Sequence, residues 1–136
     1  MGDSTDHSIE VRVYLEDTDA GGIAYHASYL RFMERARTEW LRAVGLQQSD
    51  TFEQDVSFVV HSMSLRFMRP ARLDEELRVS CKVAQARAAS IRFQQHVVVQ
   101  GSDETCCEAE VTVACISLAS GKARRIPAEV LARARA

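Results

Sequence analysis

Hydrophobic and polar residues alternate from Ile9 to Glu16, with Ile9, Val11, Val13 and Leu15 on one face and Glu10, Arg12, Tyr14 and Glu16 on the other. Successive side chains of a strand point to opposite faces, so this period of two predicts a half-buried strand. From about His26 to Val44 the period changes. Leu30, Met33, Ala36 or Arg37, Trp40 or Leu41, and Val44 recur at steps of three and four, and Ala27, Tyr29 and Phe32 widen the apolar side. That spacing predicts a helix of about five turns, ended by Gly45. Its broad apolar surface predicts that it is largely enclosed.

An irregular piece over Gln47 to Asp55 leads to four long strand-like stretches: Val56 to Arg69, Glu75 to Ala86, Ser90 to Gln100 and Thr105 to Leu118. Pro70 ends the first because it has no N–H for a ladder. The linkers are short and no helix intervenes, which predicts an antiparallel meander or hairpins. Pro127 then opens a short helix through Arg135, since proline suits the first helical position. One long helix against one antiparallel sheet is an α+β layer arrangement. Such long strands fit a curved sheet wrapped around the helix.

The 136 residues suit one domain, 9–136, after a short disordered polar tail, 1–8. With 46% hydrophobic and 26% charged residues the composition is that of an ordinary soluble globular protein. A formal charge of -2 points to neither a nucleic-acid surface nor a polybasic membrane anchor. No apolar run approaches the roughly 20 residues of a membrane span, and the start lacks the order of a secretory signal. The expected compartment is the cytoplasm. Cys81, Cys106, Cys107 and Cys115 show no paired zinc spacing and are expected as reduced, partly buried thiols. Adjacent Cys106 and Cys107 should point to opposite faces of a strand.

The segment Glu16-Asp-Thr-Asp-Ala-Gly-Gly-Ile-Ala-Tyr-His26 joins the first strand to the long helix. It brings two carboxylates, two glycines, a tyrosine and a histidine onto one turn. Glycines let backbone approach a ligand closely, and a helix start offers unpaired N–H groups to developing negative charge. Asp19 suits nucleophilic or general-base chemistry; on the residues alone a turn aspartate bonding its own backbone explains it equally well.

Extended through Ala-Ser-Tyr-Leu-Arg-Phe-Met-Glu-Arg-Ala-Arg-Thr-Glu39, and joined to the turn Arg69-Pro-Ala-Arg-Leu-Asp74, this segment closely resembles the 4-hydroxybenzoyl-CoA thioesterase family, and within it the Tol-Pal-system-associated acyl-CoA thioesterases of bacteria. The resemblance runs from about Glu10 to Pro127. It implies the hotdog fold, a long central helix wrapped by a curved antiparallel five-stranded sheet. It implies an acyl-CoA thioesterase with no metal and no cofactor, a homodimer or homotetramer holding acyl-CoA at subunit interfaces, with an acyl-carrier protein as the other possible carrier. The family's catalytic aspartate falls on Asp19, and the helix-start residue that polarises the thioester carbonyl falls on His26, through its backbone N–H or its imidazole.

A thiolate leaves readily, its thiol pKa being about 8.5 by analogy with cysteine, so the protein needs chiefly a nucleophile or activated water and a site for the oxyanion. Gly22 is expected to give close substrate approach, with a plain loop as the alternative, and Tyr25 to line the thioester pocket or simply to pack as an aromatic. Asp17 is read as a turn or capping residue rather than a second catalytic acid, and Glu34 as an ion-pair partner of a nearby arginine on the helix surface, the alternative being that it faces a neighbouring site. CoA phosphates call for cations. Arg69, Arg72, Arg87, Arg92 and Lys122 are the candidates, with Ser90 beside Arg87 in the turn where family members often contact the nucleotide. His61 and His96 are read as structural. The same fold also serves as a non-catalytic CoA or acyl-carrier-protein binding module, or as a hydratase. A phosphatase of the haloacid dehalogenase type needs alternating strands and helices, which this order lacks. An EF-hand loop starting at Asp17 would need a glutamate where Ser28 stands.

Overall fold

A computed structural model describes residues 6–136. The elements are β1 (Asp6–Arg12), α1 (His26–Ala43), α2 (Gln48–Gln54), β2 (Ser57–Phe67), β3 (Glu76–Ala86), β4 (Ser90–Val99), β5 (Thr105–Ile116) and α3 (Ala128–Ala134). The first strand begins and ends earlier than its alternation suggests. His7 and Ser8, assigned above to a tail, pair with Cys81 and Ser80, whereas residues 1–5 lie outside the described residues. At its other end Leu15–Asp17 coils into a 3-10 turn, so Leu15 is exposed.

All five strands pair antiparallel in the order β1-β3-β4-β5-β2. The three strands β3, β4 and β5 form the expected meander. In contrast, β2 pairs with β5 at the far edge and makes no hairpin with β3. Met68 gives the last bond of that pairing, to the Cys106 carbonyl, and Pro70 then has no N–H with which to continue. The chain crosses to begin β3 beside β1. Three bulges, leaving His61, Ala84 and Cys106 unpaired in their strands, add local bend and twist. The bulge at Cys106 overrides simple alternation, so Cys106 and Cys107 are both buried.

Alternate residues of the sheet, among them Leu77, Val79, Ile91, Phe93, Val97, Val111 and Val113, face α1. From α1 they meet Tyr29, Phe32, Met33, Ala36, Trp40 and Leu41, all of the predicted stripe, whereas Ala27 and Leu30 of that stripe are only half-buried. Burying each large apolar side chain contributes about 1.5–3 kcal/mol. Gly45, at φ 101, ends α1, and Leu46 N–H closes onto the Leu41 carbonyl at 2.9 Å. The helix packs on β1 and β3, and less on β4. A gap therefore runs between α1 and β2.

The piece over Gln47 to Asp55, expected to be irregular, contains α2. Asp50 accepts the Gln47 N–H at 3.1 Å and so caps its start. Pro127 precedes α3 as its N-cap instead of occupying its first turn. Among the described residues no helix is long and apolar enough to cross a membrane.

Candidate active site

The loop before α1 is built on Asp17. Its carboxylate accepts the Tyr14 N–H at 2.9 Å and faces Arg31 at 3.4 Å. Its carbonyl accepts the Tyr25 N–H and the Ser28 hydroxyl, each at 2.8 Å. The residue is 5% exposed, so a buried carboxylate is matched by donors on several sides. Asp17 thus ties the loop's start to the start of α1, in keeping with a turn residue.

Between these ties the chain makes a small hairpin. Thr18 bridges Ala24, and Asp19 N–H donates to the Ile23 carbonyl at 3.0 Å. Gly22 closes the turn with φ 78, a conformation that disfavours any side chain. The Asp19 carboxylate accepts the Gly21 N–H at 2.9 Å and is otherwise open to solvent. The turn after β2 braces the hairpin from below: Ala24 N–H reaches Ala71 O at 2.8 Å, and Leu73 N–H reaches Gly22 O at 3.1 Å. Ala71 N–H in turn donates to the Tyr29 phenol oxygen at 3.0 Å. Burial pushes the Tyr29 phenol up, against the opposing pull of that amide.

No side chain caps α1. Tyr25 is its N-cap residue, and Ser28 N–H takes the Tyr25 carbonyl. Among the described residues, the N–H groups of His26 and Ala27 have no acceptor. They belong to the positive end of an 18-residue helix. Beside them lies a cavity of about 220 Å³ lined by Ala24, His26, Tyr29, Phe67, Arg69 and Cys106, among others. The His26 ring sits 4.4 Å from Tyr25 and 6.4 Å from Phe67, centre to centre.

The structure thus gathers Asp19, Gly22, Tyr25 and His26 on one loop-to-helix junction, with His26 on the cavity wall and Asp19 outside that wall. Arg69 lines the cavity, but its guanidinium is already engaged by Glu75 at 2.6 and 2.8 Å and by Glu104 at 3.4 Å. These carboxylates raise its pKa further above the ordinary arginine value. Arg87 and Ser90 form the β3–β4 turn, closed by an Arg87 N–H to Ser90 O bond of 2.8 Å. Ser90 lies seven residues along β4 from Val97, the partner of Cys107, which is about 23 Å at 3.3 Å per residue. Within one chain this turn and the His26 cavity are therefore at opposite ends of the sheet. Arg72 and Lys122 are exposed, and the Arg92 Nε is buried without an acceptor. His96 faces Glu108 across β4 and β5 at 3.6 Å. Among the described residues no group of three or more His, Cys, Asp or Glu is placed to hold a metal ion.

Phe67, Cys106 and the Tyr29 hydroxyl were not singled out from sequence, because strand alternation says nothing of which strand end meets the helix start. Arg37 and Gln95 were missed as a pair. Arg37 stands on the apolar stripe of α1 and is buried, and its Nη1 donates to Gln95 Oε1 at 2.9 Å. A charged residue at a stripe position was the available signal.

Residues 13–134 match the model of the thioesterase-like superfamily. The chain is 43% identical to the acyl-CoA thioester hydrolase YbgC of Escherichia coli O6:H1 over 122 residues, covering 90% of each chain. It is 43% identical to the acyl-CoA thioesterase YbgC of Haemophilus influenzae, covering 92% of this chain and 91% of that one. A probable thioesterase from Bartonella henselae superposes with a TM-score of 0.79 at 34% identity, covering 90% of this chain and 99% of that chain. A 1,4-dihydroxy-2-naphthoyl-CoA thioesterase from Synechocystis shares the fold with a TM-score of 0.88 at 24% identity, covering 96% of both. With its five-stranded antiparallel sheet curved around α1, the chain belongs to the thioesterase-like superfamily and is a hotdog-fold thioesterase.

Proposed function

We propose that the protein hydrolyses acyl-CoA thioesters, with Asp19 as the reacting carboxylate and the first amides of α1 as the oxyanion site. The observation that carries this reading is the pair of N–H groups at His26 and Ala27, left without acceptors beside an apolar cavity and one short hairpin away from Asp19. The thioester oxygen accepts from these amides, which stabilises the negative charge that develops when the carbonyl carbon is attacked. Asp19 either attacks that carbon, giving a mixed anhydride that water then cleaves, or removes a proton from an attacking water. In both routes the carbon–sulfur bond breaks and the electron pair leaves on CoA thiolate. The His26 imidazole is available to orient water or carry a proton.

The working unit of this reading is a homodimer, alone or within a tetramer. The 11-residue edge strand β2 exposes Val59, Val60 and Phe67, an apolar edge that is a liability unless another strand covers it. Pairing two β2 edges antiparallel about a two-fold axis brings the start of one β2 beside the end of the other. Val59 of β2 pairs with Ala114, and Ala114 with Ser90. The same pairing therefore carries the Arg87–Ser90 turn of one copy toward the His26 cavity of the other. Arg87 is then a cation for the CoA phosphates, a role for which Arg69, bound to Glu75, is poorly placed. Work in the cytoplasm on acyl-CoA, or on an acyl-carrier protein, fits the same chemistry.

A thiol-release assay over acyl-CoAs of graded length, with aromatic and carrier-protein thioesters alongside, tests the reading. Saturable release of CoA thiol supports it. Tight binding without release favours a binding module, and water addition to an enoyl-CoA favours a hydratase.

A further inference from the structure

A second cavity, of about 320 Å³, lies at the other end of the gap between α1 and β2. Its walls are polar and apolar in about equal part: Leu41, Phe58, Val60 and Phe93 stand with Glu34, Arg37 and Thr38 of α1, and Ser57 opens β2 beside them. Arg37 is a buried cation. A buried ion is costly unless it is closely paired and hydrogen-bonded. Here Nη1 has the neutral Gln95 amide oxygen at 2.9 Å, and Nη2 has only a long 3.5 Å contact with Glu34, whose side chain is 71% exposed. A guanidinium carries five N–H donors, and two hydrogen bonds account for this one. Burial pulls the Arg37 pKa down, with Glu34 opposing.

Gln95 fixes the arrangement. Fully buried, it donates to the carbonyls of Met33 at 3.0 Å and Ser80 at 3.3 Å while its oxygen holds Arg37. Both bonds come from a neutral amide, and neither calls on a cation. Bridging α1 to the sheet therefore leaves the charge of Arg37 unexplained, and so does the loose pair with Glu34.

We propose that this cavity receives the far end of the acyl group, and that Arg37 and Glu34 select an end that carries a hydroxyl. The assignment rests on the reading that α1's first turn holds the thioester, from which the acyl chain runs through the gap between α1 and β2. A hydroxyl satisfies both partners, accepting from the Arg37 guanidinium and donating to the Glu34 carboxylate. A terminal carboxylate satisfies Arg37 alone and meets the like charge of Glu34. A plain methyl end satisfies neither. Arg37 and Glu34 are thus specificity-determining residues about two to three turns along α1 from its first amides.

Binding of S-alkyl-CoA thioethers, which have no carbonyl to hydrolyse, tests this independently of turnover. Ligands of matched length ending in hydroxyl, carboxylate or methyl are titrated calorimetrically into the oligomer. The hydroxyl-ended ligand should bind about tenfold more tightly than the methyl-ended one, or about 1.4 kcal/mol. Arg37→Met should reduce this ratio to near one. Glu34→Ala, at an exposed side chain and so without risk to folding, should weaken the hydroxyl-ended ligand and strengthen the carboxylate-ended one. Equal binding of all three ends by the wild type, or an unchanged order in Glu34→Ala, overturns the proposal. Failure of the thioesterase reading shows separately, as absence of thiol release from every acyl-CoA.

Discussion

Arg69 grips Glu75 through two parallel bonds, Nη1 to Oε1 at 2.6 Å and Nη2 to Oε2 at 2.8 Å, across the turn that braces the candidate site. The same carboxylate accepts the Arg72 N–H at 2.8 Å. The side chains are 27% and 23% exposed, so water screens the pair only in part. The Arg69 bonds hold the Glu75 carboxyl below its ordinary pKa.

A folded-state pKa below the unfolded one means that the pair stabilises the protein above the unfolded value, about 4.3 for glutamate, and that this contribution is lost as pH falls through the folded value. Arg69→Met should therefore lower stability at pH 7 by roughly 1–2 kcal/mol. The gap to wild type should close as the solution is acidified below pH 4.3, roughly the unfolded value. Urea melts across that range check both the size and the sign.

The two acids of the Asp17-Thr18-Asp19 run should separate cleanly under mutation. Asp17 is enclosed and satisfies the half-buried Tyr14 N–H, so Asp17→Ala removes that acceptor and should cost about 1–2 kcal/mol. Asp19 is exposed and bonds only its own turn through its side chain, so Asp19→Asn should stay within about 0.5 kcal/mol of wild type. Thermal melts of the two variants compare them directly.

Gly22 tests whether the hairpin's shape matters apart from its packing. A Cβ there meets nothing within 4 Å, so the penalty for Gly22→Val comes from the positive φ alone. It should amount to about 1–2 kcal/mol, with Gly22→Asn milder because asparagine tolerates that region. Turnover in Gly22→Val should fall more than stability explains, since the Asp19 carboxylate is held by the same turn. Paired denaturation and thiol-release measurements on both variants check this.

The cysteines should be silent in the native protein. All four are free and buried, and burial pushes Cys81 and Cys107 up to about 12. Thiol titration at pH 8 should count close to none before denaturation and four after it. Rapid native labelling of any one of them would show that the core around β5 opens readily.

The helix α1 was legible to within a residue because its stripe is long and Gly45 marks its end. The meander was legible because short turns force neighbours. Other features escaped for identifiable reasons. Helix α2 is short and polar, with Phe52 facing solvent, so no period reveals it. The place of β2 beside β5 depends on a crossing that follows Pro70, which a list of strands does not contain. At the site, the junction from Asp19 to His26 could be read because its residues are consecutive. The walls supplied by Phe67 and Cys106 could not, because they reach α1 only through the sheet order. The sequence offers Arg69 as a cation for phosphate, yet Glu75, six residues on, already holds it. Arg37 looked like one more stripe residue until Gln95 appeared beneath it.

The central claim is that the Asp19 carboxylate carries out the cleavage at the amides opening α1. Single-turnover release of CoA thiol by Asp19→Asn, set against wild type on whichever acyl-CoA the wild type cleaves best, tests it most directly. A variant that stays folded and binds substrate but is slower by about 100-fold or more is the expected outcome. Release within a few-fold of wild type would contradict the claim and move the reacting group elsewhere.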